Sequence, residues 1–495
     1  MKALLTLTGW LLPLFFALLS AQTLPKKSLE RELREFEKNP ALKHASWGIY
    51  VFDVNSGRTI ASRNENQALV PASTIKVLTT ASALKMLGHD FRFETTLAYT
   101  GQVIDTGTLL GDLVIKGSGD PSFMSDLLND SLGKYKVFAQ WLADLKLAGI
   151  NHISGRVFAD ESVFDQELIP RKWLWEDMGN YFGAGASGLT ANENMYTVFF
   201  QPGDTIGQPA KVVGTNPGIP GMEFINQVTT GPPNSGDQVF IFGAPYQMIR
   251  TLTGTVPLGS SNFPVRGSIP DPPMYVASSF SEFLKQQGIR QDNQPLSART
   301  AMKEGILPEK ITGTISIWHS PALTSLAAHA NMHSVNTYTE NMVKIIGARL
   351  KGQGSTNAGI DTIIGFWRSY GVDVDGMFLF DGSGLAPSNR VTVKQLAQIL
   401  SIMAQDANFE LFQSGFPLAG RSGSIANQFI GTPSEGVLRA KSGSLTNVRG
   451  FAGYTRTYNG RLIAFVILVN HFQGRSSVLR NHMIQIMDAI TRYNQ

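Results

Sequence analysis

A serine and a lysine stand three residues apart in "PASTIKV" (71–77): Ser73 and Lys76, at the head of a run with helical spacing. At a helix start this spacing puts both side chains on one face, within hydrogen-bonding reach. The unpaired N–H groups and partial positive charge there favour a developing seryl oxyanion and a tetrahedral intermediate. A lysine packed in an apolar pocket loses its proton more easily and can serve as the base. A capping serine at an ordinary helix start explains the same residues. The pattern alone is weak, because "SLGK" (Ser131 to Lys134) repeats it, and Gly133 marks that copy as a surface turn.

Two further motifs change the balance. "HSVNTYTENM" contains Ser334-Val335-Asn336, and "LRAKSGSLTNVRG" contains Lys441-Ser442-Gly443. Ser-x-x-Lys, Ser-Asp-Asn and Lys-Thr-Gly together mark serine β-lactamases and penicillin-binding proteins. Here Val335 replaces the middle Asp and Ser442 keeps the hydroxyl of the Thr. Ser260-Ser261-Asn262 is a decoy of the second motif, while Lys-Ser/Thr-Gly occurs once. The three motifs run in the required order, at a helix start, a helix or its edge, and a strand.

Each residue then has a task. Ser73 attacks a carbonyl and Lys76 takes its proton. Ser334 and Lys441 relay a proton to the leaving amine. Asn336 holds Lys76 and the substrate amide. Ser442 and Lys441 bind a terminal carboxylate, and Gly443 lets the substrate backbone lie close to its strand. The N–H groups of Ser73 and Ser444 form the oxyanion hole.

The chain resembles the class C low-molecular-mass penicillin-binding proteins, D-alanyl-D-alanine carboxypeptidases/endopeptidases of the penicillin-binding-protein-4 type (peptidase family S13). The resemblance extends through "GDLVIKGSGDPSF" (111–123), "GRVFADESVFD" (155–165), "GLTANENMYTV" (188–198), "FDGSGLAPSNRVT" (380–392) and "PLAGRSGSIANQFIGTPSEGVLRAKSGSLTNVRGFAGY" (417–454). It implies cleavage of D-Ala-D-Ala termini of peptidoglycan stems, and of D-amino-acid crosslinks, through a Ser73 acyl-enzyme that β-lactams also form. It also implies a stem-peptide pocket with Asp160 at the free amino end, Phe164 close by and Leu385 lining the wall. Many relatives carry Arg two residues after that Leu, where this chain has Pro387; Arg390 follows three residues on. A β-lactamase would need a base for the deacylating water, which the sequence does not assign. A catalytically inactive wall-binding protein would not need the intact Ser73, Lys76, Ser334, Asn336 and Lys441.

These side chains must be positioned by a fold. The 495 residues call for more than one domain, and 43% hydrophobic with 16% charged residues permits a large core. The expected class is α+β: a β-lactamase/transpeptidase-like catalytic domain, an antiparallel sheet covered by helices, with a large, mostly β insertion. Residues 22–90 and 300–495 form the catalytic domain, and 91–299 the insertion. Leu29 to Lys43 reads as a charged helix and "WGIYVFDVNSGRTIAS" as a hairpin. "TSLAAHANMHSVNTYTENMVKIIGARL" reads as helical, as do "AGIDTIIGFWRSYG" and "TVKQLAQILSIMAQ". A second hairpin turns at Asn459-Gly460, and Ser477 to Tyr493 reads as a last helix.

The apolar run after Lys2, ending in small residues near Ala21, reads as a signal peptide over 1–21, so export to the periplasm is expected. Peripheral membrane association through an uncleaved leader is the second option. The chain has no cysteine, which excludes disulfides, thiol nucleophiles and a lipid-anchored cysteine. The net charge of +4 is small for this length and gives no reason to invoke nucleic acid. No cofactor or metal is expected: His329 and His333 have helical metal spacing without a third ligand. Trp173, Trp175 and Phe182 read as core of the insertion before a saccharide-stacking surface, and Glu340, one helical turn after Asn336, reads as a support of the site or a salt-bridging residue on a helix face. The sequence leaves homo-oligomerisation open.

Overall fold

The computed structural model describes residues 26–125, 133–306 and 309–494. The expected signal peptide and Ser131 of "SLGK" lie outside the described residues.

The two hairpins at opposite ends of the chain merge into one five-stranded antiparallel sheet. Its order is Arg439–Leu445, Val448–Arg456, Leu462–Asn470, Ser46–Asp53, Thr59–Arg63. Register across the join runs from Ser46 opposite Asn470 to Asp53 opposite Ile463. "LIAFVILVN" is buried along its whole length, as befits a central strand covered on both faces. Each aliphatic side chain so buried contributes about 1.5–3 kcal/mol before entropy is counted.

One face is covered by the first and last helices, Lys26–Glu37 and Ser476–Thr491, through Leu29, Leu33 and Phe36 against Leu479, Met483 and Ile490. The other carries the helices Lys76–Leu87, Asn336–Lys351, Thr356–Ser369 and Val393–Met403, which share one large core. Residues 76–84 are all buried, and the polar Thr80 and Ser82 among them bond the carbonyls of Lys76 and Leu78. The fold is α+β, as expected.

The insertion differs from expectation in two ways. Besides its strands it contains two long helices, Gly133–Leu147 and Pro272–Gln286. Lys134 of "SLGK" therefore sits in the first turn of a helix instead of a surface turn. Its apolar core joins Phe138 and Trp141 from the first helix to Phe280 from the second. In addition, strand Ile311–His319 pairs antiparallel with Glu94–Thr100, inside the inserted sheet. Ser320 N–H bonds the Phe93 carbonyl, so the chain leaves and re-enters the catalytic domain side by side. The second crossing therefore lies near Ser320, twenty residues beyond the boundary at 300 that composition suggested.

Candidate active site

Three elements converge on Ser73. The first is the turn that carries it. Ala72–Ile75 forms a single 3-10 turn that runs into the helix from Lys76. Ala72 has φ 45, a left-handed conformation costly for a residue with a Cβ. It is held there by packing: Ala72 is fully buried, and its carbonyl lies where a Cβ on Gly384 would be. Upstream, the Asn470 side chain clamps Val70, accepting its N–H at 2.7 Å and donating to its carbonyl at 3.0 Å.

The second element is the Ser334–Asn336 corner. The sequence reads as one long helical pattern, but the structure breaks it into Leu323–His333 and Asn336–Lys351. Ser334 takes φ 60 and Val335 is extended. The break leaves Ser334 half-buried beside a cavity and starts the next helix with Asn336. The third is the strand Arg439–Leu445, an edge strand that carries Lys441 to Ser444. An open edge can accept an extended peptide as a further strand.

Lys76 is completely buried at the junction. Its Nζ lies 3.2 Å from Ser73 Oγ, 2.6 Å from Asn336 Oδ1 and 2.7 Å from the Ser383 carbonyl. Asn336 Nδ2 donates to the Phe182 carbonyl at 2.7 Å, which fixes Oδ1 toward the lysine. The two acceptors other than Ser73 have no hydrogen to give. A neutral amine has two N–H bonds, which those acceptors use, so its lone pair faces the seryl hydroxyl. Burial lowers the Lys76 pKa to about 7, against the pull of Asp381 and Glu340.

The two carboxylates hold the loop over Lys76. Asp381 accepts from Trp173 Nε1, the Gly384 and Ala386 N–H groups, and Asn389 Nδ2, all at 2.6–2.8 Å. Glu340 accepts the Gly382 N–H at 3.1 Å, and Thr79 binds the Gly382 carbonyl at 2.7 Å. Glu340 is thus a buried support for the loop whose Ser383 carbonyl holds Lys76, and not a surface salt bridge. Burial raises its pKa. Trp173 has a hydrogen-bonding task as well as a packing one, while Trp175 is exposed and stacks on Phe242.

On the strand, Lys441 is fully buried and donates to the Ser442 carbonyl at 2.7 Å. Burial, and then the nearby Lys76, push its pKa well below the usual lysine range. Ser442 Oγ pairs with Ser424 Oγ at 2.8 Å. Ser424 was not singled out from the sequence. A Cβ on Gly443 would lie 2.7 Å from the Pro71 carbonyl and 3.1 Å from Ser73 N. The glycine makes room for the nucleophile turn itself. Ser444 is exposed on the same strand.

The stem-pocket residues divide. Leu385 clusters with Trp173, Phe182 and Leu445, beside the strand that carries Lys441. Asp160 instead lines a separate cavity of about 270 Å³ with Thr100, Asp112 and Ile311. Phe164 is buried, with its ring against Gly119 and its backbone against Gly354. Neither residue lines the cavity beside Ser334 and Asn336. Arg390 donates to the Pro387 and Asn389 carbonyls at 2.7 and 2.8 Å, so it braces its own loop. The wall beside Ser334 is built by Tyr181, Phe182, Met195, Arg266, His329 and His333, around a cavity of about 410 Å³. Of these, Phe182 reads from the sequence as core, and Tyr181 was not singled out. The His329 and His333 rings lie 4.8 Å apart, tilted by 46°, and among the described residues no cluster of three metal-ligating side chains occurs.

The profile of the D-Ala-D-Ala carboxypeptidase 3 (S13) family matches residues 29–493. The chain is 28% identical to a D-alanyl-D-alanine carboxypeptidase of Actinomadura sp. (strain R39), over 90% of this chain and 81% of that one. It is 26% identical to the D-alanyl-D-alanine carboxypeptidase DacB of Haemophilus influenzae, over 86% and 85%. The crystal structure of penicillin binding protein 4 from Haemophilus influenzae shares the fold, with TM-score 0.78 at 22% identity, covering 94% of this chain and 98% of that one. Matched from its first helix to its last, the chain belongs to the D-Ala-D-Ala carboxypeptidase 3 (S13) family.

Proposed function

We propose that Ser73 is the acyl-enzyme nucleophile of a serine D-Ala-D-Ala carboxypeptidase, with Lys76 as its base. The observation that carries this is the buried Lys76 amine, its lone pair directed at Ser73 by Asn336 and the Ser383 carbonyl. Ser73 loses its proton to Lys76 and its oxygen bonds the carbonyl carbon of the penultimate D-Ala. The oxyanion is met by the N–H groups of Ser73 and Ser444. Ser334 and Lys441 pass a proton to the leaving nitrogen, the C–N bond breaks, and D-Ala departs. Water then hydrolyses the seryl ester. Lys441 and Ser442 are the groups for the terminal carboxylate, bound beside the open strand edge.

The substrate is the peptidoglycan stem peptide, cleaved at its D-Ala-D-Ala end and at D-amino-acid crosslinks. β-Lactams, whose strained amide mimics that bond, acylate the same serine. Penicillin binding protein 4 from Haemophilus influenzae has been crystallised with a β-lactam, which supports this reading. An exported, periplasmic location fits the leader-like first residues.

The test is release of D-Ala from a stem pentapeptide by the purified protein. Release by the wild type and none above background by Ser73→Ala is expected. Equal release by both would place the chemistry elsewhere.

A further inference from the structure

The cavity beside Ser334 is larger and more cationic than a carboxypeptidase needs. Its volume of about 410 Å³ is in the range of sites for drug-sized ligands. A departing alanine is far smaller. In the mechanism above Ser334 serves the leaving nitrogen, so a cavity with Ser334 in its wall begins on the leaving-group side.

Its chemistry is directional. Arg266 is the permanent charge in the lining, and no carboxylate shares that lining. Its guanidinium lies over the Tyr181 ring, 4.0 Å from the centroid, which orients the planar fork. Asp237 feels this charge: burial raises its pKa, and the Val239 N–H and Arg266 oppose the rise. Yet no ion pair within 4.0 Å joins Asp237 to Arg266 among the described residues. His329, nearly buried in the same wall, has an Nε2 with no hydrogen-bond partner. The wall is tied to the catalytic centre, because the Phe182 carbonyl holds Asn336. A planar cation on an aromatic floor suits a carboxylate bound through two parallel hydrogen bonds.

We infer that this cavity is a leaving-strand subsite, in which Arg266 over Tyr181 binds a carboxylate of the second peptide strand of a crosslink. A crosslinked substrate differs from a terminal one on this side of the scissile bond: its leaving nitrogen carries a second, acidic stem. The subsite makes the protein favour crosslinks over simple termini. This rests on the Ser73 and Ser334 roles proposed above.

The experiment compares wild type, Arg266→Gln and Arg266→Lys on three probes. These are a fluorescent penicillin, a stem pentapeptide, and a purified crosslinked peptide dimer with its leaving-strand carboxylates free or amidated. Arg266→Gln should lower kcat/KM on the acidic dimer at least tenfold while penicillin acylation and pentapeptide cleavage stay within twofold. Arg266→Lys should fall between. Amidation should cost the wild type about as much as the Gln substitution and cost Arg266→Gln nothing further, because both remove one interaction. Equal losses on dimer and pentapeptide, or no effect of amidation on the wild type, would overturn the subsite and leave Ser73 untouched. Failure of the wild type to acylate at Ser73 would overturn the reading beneath it, and would be seen with penicillin alone.

Discussion

The Lys76 amine sits 2.6 Å from the Asn336 amide oxygen, across 260 residues of sequence, and this contact aims the lysine at Ser73. It links the protonation state of one side chain to the reactivity of another. Four predictions follow from that link and from its supports.

In the proposed mechanism acylation of Ser73 requires neutral Lys76, whose pKa burial brings down to about 7. The sign is that of a base: the reactive form dominates above the pKa and is lost as pH falls through it. The second-order rate of penicillin acylation should plateau above pH 8. Well below pH 7 it should fall about tenfold per pH unit. A rate unchanged down to pH 5 would exclude Lys76 as the base.

Asn336→Asp puts a carboxylate beside Lys76 in place of an amide. An opposite charge at this range stabilises the ammonium, and raises its pKa by about 1–3 units. The midpoint of the acylation profile should move upward by at least one pH unit, with a slower rate at neutral pH. An unmoved midpoint would separate Asn336 from the lysine's titration.

Gly443→Ala places a Cβ 2.7 Å from the Pro71 carbonyl and 3.1 Å from Ser73 N. The backbone must shift, so the variant should lose about 1–3 kcal/mol of stability and acylate far more slowly. Gly365→Ala is the control, since nothing lies within 4 Å of its added Cβ. At this exposed position of the helix Thr356–Ser369 it should gain about 1 kcal/mol. Thermal melts with penicillin labelling of both variants check this.

Asn470→Ala removes the clamp on Val70 and leaves a buried N–H and carbonyl without partners. The cost is about 1–3 kcal/mol, and the nucleophile turn loosens with it. A lower Tm with slower acylation is expected; an unchanged Tm would show that Val70 is held by other means.

The candidate constellation was legible because the chemistry proposed for it demands fixed residue types at fixed spacing. The supports were not, because they act through backbone groups that any residue supplies. The Phe182 carbonyl on Asn336, the Ser383 carbonyl on Lys76 and the Gly382 N–H on Glu340 are of this kind. The terminal hairpins were readable from alternation and Asn-Gly, and their union in one sheet follows from two edges that each need a partner. The helix break at Ser334 was hidden, since "HANMHSVNTYTE" keeps helical spacing through a left-handed residue. The second crossing was misplaced because Ile311–His319 carries no composition change to separate it from its surroundings. Asp160 and Phe164 came from the resemblance, since no spacing or periodicity of their own singles them out.

The most direct test of the central claim is to incubate the purified protein with penicillin and map the adduct by peptide mass spectrometry. One penicilloyl group on the peptide containing Ser73, absent in Ser73→Ala and slow to leave, is the predicted result. Label on any other residue, Ser131 of "SLGK" included, or equal labelling of Ser73→Ala, would contradict it.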